Sequence, residues 1–274
     1  GGGIWNVTAR VISSALLFVA SILYARYLPK ELYGSYRYVW SLLGMVSFLT
    51  FTEVLTAFSR AAARGKEYLY RTEAKWYLIL SFPLALFGIG AGFYFLSQHN
   101  VLFGVAFLVA GILTPLRDGI SIFHAWLSLK RKFRLKAEIT IVENVSFLFL
   151  MAISVFLISR YDIPYLYALP MLLAAYSLGH GVPRLFYSPR LARQIPKGPD
   201  EPLKPIAKFG VHLGVSNILP TVAGYLDSVL VFSILGAPAL ALYSFAIIIP
   251  EQAKGLLGTV AGIAQPKIFS KDSK

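Results

Sequence analysis

Long apolar runs dominate this sequence and leave few folds open to it. A helix crosses a hydrocarbon core of about 30 Å with about 20 residues, and each run reaches that length. Backbone polar groups inside a bilayer must form their hydrogen bonds within their own element, so continuous runs predict helices rather than barrel strands. Eight transmembrane helices are predicted, over residues 4–28, 32–58, 76–96, 102–129, 137–158, 165–187, 206–235 and 240–263.

The composition also predicts an all-α integral membrane protein, a polytopic helical bundle. Charged residues make up 14% of the chain, against roughly a quarter in soluble domains, while hydrophobic residues reach 57%. Such a composition excludes a soluble globular protein and a disordered one. The sequence has no cysteine, which excludes disulfides, thiolate metal sites and cysteine nucleophiles.

The basic residues predict how the helices are oriented. The net charge is +13, but the Lys and Arg residues are divided among loops rather than gathered on one face, so no nucleic acid partner is predicted. The loops on one side hold only Arg26, Lys30 and Arg160, whereas the loops on the other side hold most of the rest, including the loop that begins with Arg184. Because cytoplasmic loops carry the excess of Lys and Arg, both ends of this sequence are predicted to be cytoplasmic.

Proline and charge interrupt the apolar pattern over residues 188–205. This stretch predicts a cytoplasmic linker between an N-terminal six-helix transmembrane bundle, residues 1–187, and the first two helices of a second, incomplete bundle, residues 206–274. A shift of 207 residues lays the turn before span two on the turn before span eight. The repeat predicts two bundles of six or more helices in parallel orientation, and this chain is expected to be part of a longer one.

Polar residues in the fourth predicted span recur at helical spacing. Steps of three and four residues join Thr114, Arg117, Ser121, His124 and Ser128. These residues would share one helical face, which is expected to line a bundle interior or a water-filled cavity because a charge at mid-bilayer is costly. Asp118 would point about 100° away from Arg117 and is predicted not to neutralise it.

Other charges fall inside the predicted spans as well. A cationic substrate-binding cavity is predicted from Arg10, Arg37, Arg117, His124 and Lys254. Guanidinium groups match phosphate oxygens in bidentate geometry, so a phosphate-bearing headgroup is the expected ligand. The alternative is that these charges form buried pairs that only orient helices, such as Arg117 with Glu143 or Arg10 with Asp227.

Four carboxylates are candidates for ion coupling: Asp227, Glu251, Asp118 and Glu143. A carboxyl group in a low-dielectric cavity can take up a proton, or it can bind sodium together with nearby carbonyls. Glu251 also lies three residues before Lys254, and neutralisation of one by the other is an equally simple interpretation.

No sequence motif indicates a cofactor. A Walker A pattern, a His-Glu-x-x-His pattern and a metal-spaced cluster are all missing from the sequence, so no metal, cofactor or catalytic residue is predicted. Gly88, Gly90 and Gly92 lie within an apolar span and are interpreted as a close helix-packing face.

Two turns resemble those of a known family. The first, residues 27–36, reads YLPKELYGSY and resembles the LGP-x-x-Y-G-x-Y turn of the Wzx-type (O-antigen) polysaccharide flippases, relatives of the MATE multidrug exporters and the lipid II flippases. The second, residues 235–243, reads LGAPALALY and is similar to the equivalent turn of that family, with Ala241 in place of glycine. Asp227 stands where many members carry an acidic residue.

The resemblance implies a secondary transporter of the MATE/MOP superfamily, not an enzyme, that works without a cofactor. Its expected substrate is a polyprenyl-pyrophosphate-linked oligosaccharide, flipped across the bacterial plasma (inner) membrane by alternating access, with ion coupling. The expected partners are this lipid-linked oligosaccharide, membrane lipids and other polysaccharide assembly proteins of the cell envelope.

Two other functions are alternatives. A MATE-type multidrug or cation antiporter would need acidic groups in its pocket, whereas span one carries Arg10 and no carboxylate. A membrane glycosyltransferase or polymerase would need large extramembrane loops, whereas the predicted outer loops are only a few residues long.

Overall fold

The computed structural model describes residues 2–121, 123–198, 204–248 and 250, and all regular secondary structure in them is helical. The elements are α1 (Gly2–Tyr27), α2 (Lys30–Met45), a 3₁₀ segment (Ser47–Thr50), α3 (Thr52–Ala63), α4 (Leu69–Ser97), α5 (Val101–Asp118), α6 (His124–Leu129), α7 (Phe133–Tyr161), α8 (Tyr165–Ala192), α9 (Lys204–Leu235) and α10 (Ala237–Ile248). The helices run back and forth between two ends. The turn end holds the short connections at residues 28–29, 98–100, 162–164 and 236, and the basic end holds the loops at residues 64–68, 130–132 and 193–198.

Five described helices are long and apolar enough to cross a membrane: Val7–Tyr27, Leu69–Ser97, Val101–Asp118, Phe133–Tyr161 and Lys208–Leu235. Lys30–Met45 and Ser47–Ala63 together form a sixth candidate, bent by 50°. This count differs from the predicted eight. Helix α8 has sufficient length, but its tyrosines, prolines and glycines make it less apolar, and α10 is described only as far as Ile248.

Two predicted spans are broken rather than continuous. The span predicted over 32–58 bends at the 3₁₀ segment, where Phe51 has a left-handed backbone with φ of 43°. The span predicted over 102–129 ends at Asp118, and α6 begins only after Phe123, which has φ of 52°. The expectation of one continuous polar face from Thr114 to Ser128 is therefore wrong, because no single helix contains both residues.

The interior of the bundle is formed by close helix contacts. A Cβ atom added to Gly88 of α4 would lie 2.8 Å from the Cα atom of Gly111 of α5, so glycine permits the approach of these two helices. Apolar side chains with almost no exposure fill the space among α2, α5, α7 and α8: Leu32, Val39, Phe107, Met151 and Leu172. Apolar residues elsewhere point outward, and Leu86 and Leu219 are 65% and 76% exposed, as expected for a lipid-facing surface.

The predicted linker overlaps both flanking helices. Helix α8 continues to Ala192 and α9 begins at Lys204, which leaves a shorter connection than residues 188–205.

At the turn end, α2 meets α10. A Cβ atom on Gly34 would overlap the carbonyl oxygen of Ala237, so the two backbones touch. The Arg37 Nε donates a hydrogen bond to the Ser244 hydroxyl at 3.1 Å. These two residues are 207 positions apart, the same shift that relates the two turns in the sequence. Equivalent positions of the two turns therefore contact each other.

Candidate functional site

A cavity of about 600 Å³ lies where the broken helices meet the long ones. Side chains from α2, the 3₁₀ segment, α3, α4, α5, α8 and α9 form its wall. The wall contains three guanidinium groups, Arg37, Arg117 and Arg184, and among the described lining residues a single carboxylate, Asp118. The charge of this lining is therefore positive.

Arg117 is positioned by the last turn of α5. Its Nε donates a hydrogen bond to Asp118 Oδ1 at 2.9 Å, and its Nη2 contacts Oδ2 of the same carboxylate. The guanidinium also lies over the ring of Trp40, 4.4 Å from its centroid, as a cation–π contact. The prediction that Asp118 would not neutralise Arg117 is wrong, because α5 ends at Asp118 and the long arginine side chain turns back to the adjacent carboxylate.

Arg184 is the third arginine of the wall, although the distribution of Lys and Arg predicts it to be a loop charge. It lies within α8, donates from Nε to Glu143 Oε1 at 2.7 Å, and donates from Nη1 to the carbonyl oxygen of Arg117. Glu143 therefore pairs with Arg184 and not with Arg117, which corrects the alternative pairing. One signal could have identified Arg184, because it stands three residues inside the predicted span 165–187.

Arg37 differs from the other two arginines because no carboxylate within the described residues forms an ion pair with it. Its hydrogen-bond partner is the neutral hydroxyl of Ser244. A guanidinium has five N–H groups, so most donors of Arg37 have no protein acceptor in the described part of the chain. Arg37 is thus the cavity arginine with the most hydrogen-bonding capacity left for a ligand.

The other predicted site residues that the structure describes do not line this wall. Arg10 and Asp227 are both exposed, and no ion pair joins them within the part of the chain that the structure describes. The Asp227 carboxylate accepts a hydrogen bond from the Tyr243 hydroxyl at 3.4 Å. Lys254 and Glu251 lie outside the described residues.

His124 lies in α6, outside the cavity and outside the five long apolar helices. Its Nδ1 atom is buried and has no hydrogen-bond partner among the described residues. Burial, together with the smaller effect of the positive charges of Lys136 and Arg184, lowers the pKa of His124 to about 4. His124 is therefore neutral at physiological pH.

The sequence matches one known protein family over nearly its whole length. The model of the family described as "Polysaccharide biosynthesis protein" matches residues 1–266. The chain belongs to this family. The polysaccharide biosynthesis family is that of the Wzx-type flippases, so the resemblance carried by the two turns is confirmed over nearly the whole chain. No curated protein and no solved structure gives a significant match.

Membership of the polysaccharide biosynthesis family and several long apolar helices identify a multi-pass membrane protein of a flippase family. The wall of the cavity also contains neutral polar groups, about which the family description says nothing. Its neutral polar groups come mainly from α4, α8 and α9: Tyr77, Tyr176, Asn217, Thr221 and Tyr225. Hydroxyl, amide and aromatic groups of this kind can bind sugars, and guanidinium groups can bind phosphates.

Proposed function

We propose that this protein flips a polyprenyl-pyrophosphate-linked oligosaccharide across the bacterial plasma membrane by alternating access. The observation that carries this proposal is the convergence of Arg37, Arg117 and Arg184 on one cavity that contains a single described carboxylate. A pyrophosphate carries several negative charges, and a dehydrated anion is stable in a protein interior only where cationic donors surround it.

The three arginines of the cavity have different partners, and we expect them to have different roles. Arg117 and Arg184 are held in place by Asp118 and Glu143, which fixes their orientation but offsets their charge. Arg37 has no such offset within the described residues, so it supplies the net positive charge that attracts the ligand. Two oriented arginines and one uncompensated arginine together suit a diphosphate better than a cationic drug, whose pocket would need the opposite balance.

The cavity size fits the polar headgroup and not the whole substrate. A volume of about 600 Å³ holds a pyrophosphate with one or two sugars. The polyprenyl tail would therefore remain in the surrounding lipid, and further sugars would extend out of the cavity. Tyr77, Asn217 and Thr221 are the wall groups that would bind sugar hydroxyls.

The contacts at the turn end support a direction of access. The turn end is closed by α2 against α10, and the cavity lining continues from Arg37 down to Thr52, toward the basic end. With the basic end in the cytoplasm, as the distribution of Lys and Arg indicates, the headgroup enters from the cytoplasmic leaflet and leaves when the turn end opens.

Reconstituted vesicles provide the test. Purified protein would be incorporated with a fluorescent polyprenyl-pyrophosphate oligosaccharide, and the fraction that reaches the other leaflet would be followed over time. We expect Arg37→Gln to slow flipping roughly ten- to a hundredfold, since hydrogen bonds to charged groups contribute about 1.5–3 kcal/mol. Arg37 is the cleanest choice because its loss leaves no described carboxylate unpaired.

Matched variants separate binding from folding. The double variant Arg117→Gln with Asp118→Asn removes both members of an ion pair and should slow flipping without an unpaired buried charge. Arg134→Gln changes an exposed arginine of α7 and should leave the rate unchanged. Unchanged flipping in the Arg37 and Arg117 variants, or transport of an organic cation by the wild-type vesicles instead, would overturn the proposal.

A further inference from the structure

Glu73 is a buried carboxyl group with an unusual partner. It lies in the second turn of α4, is 6% exposed, and contacts Ser59 of α3. The other described carboxylate with comparable burial, Glu143, pairs with Arg184. Within the described residues no Lys or Arg forms an ion pair with Glu73, although an ionised carboxylate that is removed from water normally requires one.

The hydrogen-bond geometry indicates which form of Glu73 fits. The Ser59 Oγ lies 2.9 Å from Oε1 and 2.9 Å from Oε2 of the same carboxyl group. A serine hydroxyl has one hydrogen, and an ionised carboxylate can only accept, so one hydrogen would have to serve two close oxygen contacts. A protonated carboxyl group resolves this, because Ser59 then donates to one oxygen and accepts from the other.

The groups around Glu73 offer nothing that would hold it ionised. The titratable side chains on its own helix and on the elements packed against it are Tyr70, Arg71, Lys75, Tyr77 and Tyr94 on α4, Glu53 and Arg60 on α3, and Arg117 with Asp118 on α5. Arg71 donates from Nε to the carbonyl oxygen of Ile195, Lys75 is exposed, and neither forms an ion pair with Glu73 among the described residues. The phenols are neutral, and the pair on α5 is bound to itself. Arg60 is exposed, and no ion pair with Glu73 is present among the described residues.

We propose that Glu73 is the proton-binding residue of the transport cycle, an inference that deepens the proposed flippase function and rests on it. When the proton is bound, the Glu73 carboxyl group and the Ser59 hydroxyl form hydrogen bonds to each other, and these bonds hold α3 against α4. When it is released, the proton passes from the carboxyl oxygen to water at the basic end, and the carboxylate that remains must be hydrated. Water can reach it only if α3 separates from α4.

A movement of α3 would change contacts next to the cavity because of where α3 lies. Helix α3 follows the 50° bend, so it is not a rigid continuation of α2. Its Val54 packs on α9, where a Cβ atom on Gly210 would overlap the Val54 Cα atom. On α4, Tyr77 lies one helical turn beyond Glu73 and lines the cavity. Protonation of Glu73 therefore controls the contact of α4, which forms part of the cavity wall, with α3, which packs on α9.

Infrared spectroscopy of the purified full chain tests the protonation state directly. A protonated carboxylic acid has a carbonyl stretch that an ionised carboxylate lacks. We expect such a band near neutral pH, lost in Glu73→Gln and retained in the matched control Glu143→Gln. Ser59→Ala should keep the band but shift its frequency, since the hydrogen-bond partner is gone. A spectrum that Glu73→Gln leaves unchanged would overturn the proposal.

Thiol labelling tests the movement of α3. The chain has no cysteine, so Ala62→Cys introduces a single thiol on a fully buried position of α3. Labelling rates would be compared at each pH with and without Glu73→Gln, which cancels the titration of the thiol itself. We expect labelling several-fold faster at high pH when Glu73 is present. Equal rates at every pH would contradict the proposal.

Neither measurement needs a substrate, so each reports on Glu73 independently of the vesicle assay. A lost carbonyl band together with unchanged flipping in the Arg37 and Arg117 variants would refute the proposed substrate while leaving Glu73 as the proton-binding group. A carbonyl band that Glu73→Gln leaves unchanged, together with slowed flipping in the Arg37 and Arg117 variants, would refute the role of Glu73. The cationic cavity would then remain supported.

Discussion

The two places where the first helices contact α9 and α10 are held together in different ways. At the turn end, α2 meets its neighbours through touching backbones and stacked rings, with Tyr38 and Phe232 at a centroid separation of 3.9 Å. Nearer the basic end, α3 meets α9 beside a bend, with an exposed hydrogen bond from Asn217 to Glu53 at 3.1 Å. Close backbone packing is present at both contacts, at Gly34 against Ala237 and at Gly210 against Val54, whereas polar and titratable groups surround only the contact nearer the basic end.

This difference indicates how each end responds to a perturbation. Packed rings and glycine contacts resist small changes in pH or salt but cannot accommodate extra volume. Polar contacts tolerate volume but change with protonation. Steric substitutions should therefore disturb both contacts, whereas a change in pH should affect only the contact nearer the basic end.

Gly34→Ala should have the largest effect. Its new methyl group would overlap the Ala237 carbonyl oxygen, a backbone atom that cannot turn aside. Overpacking typically costs about 1–3 kcal/mol, and an overlap with backbone is expected to exceed that range because the two helices must separate. We expect a clear fall in the free energy of unfolding in detergent, measured by denaturant titration, together with loss of the closed turn end.

Gly90→Ala is the matched control for that substitution. A Cβ atom at Gly90 would have open space around it in the same kind of apolar helix. Alanine favours helix over glycine by up to about 1 kcal/mol, so stability should stay the same or rise. Similar losses in both variants would show that the turn end has no special steric demand.

The pH response of His124 should come next in size. The pKa of His124 is lowered by burial from 6.5 to about 4 in the folded protein, whereas the unfolded chain keeps the ordinary value. As the pH falls from 6.5 to 4, only the unfolded state takes up the proton, so stability falls by about 3 kcal/mol across that window.

Denaturant titration of His124→Gln against wild type between pH 7 and pH 4 checks this prediction. The variant should lose less stability on acidification, because its side chain cannot be protonated. Parallel curves for the two proteins would mean that His124 is hydrated in the folded state and does not titrate as its burial implies.

Ser244→Ala should have the smallest effect. It removes the single hydrogen bond from Arg37 across the turn end and leaves the ring stacks and backbone contact in place. The expected loss in the free energy of unfolding is about 1 kcal/mol. A loss as large as that of Gly34→Ala would show that the hydrogen bond, and not packing, closes the turn end.

The sequence was sufficient for the class and the family but not for the breaks in the helices. Apolar runs report which residues can face lipid, so α1, α7 and α9 were predicted to within a few residues. The same runs continue through Phe51 and Phe123, whose left-handed backbones interrupt two predicted spans. Phenylalanine is equally apolar with a helical or a left-handed backbone, so hydropathy does not show where the helix breaks.

Arg37 and Arg117 stand in the wall of the cavity, and their binding of a substrate stays a prediction. The partners of the charges were harder to predict, because Glu143 reaches Arg184 and Ser59 reaches Glu73 between helices. Spacing along one helix says which residues share a face, but not which residue of another helix stands opposite. The pairing of Arg117 with Asp118 was missed for a different reason, since an ideal helix does not describe its last residue.

The contact between Arg37 and Ser244 also limits which residues can occupy these two positions. They lie 207 residues apart in the sequence and face each other where α2 meets α10. Two arginines here would repel each other in a poorly solvated environment, so a cation at one position requires a neutral acceptor at the other. The two turns can therefore resemble each other in sequence without carrying the same side chain at this pair of positions.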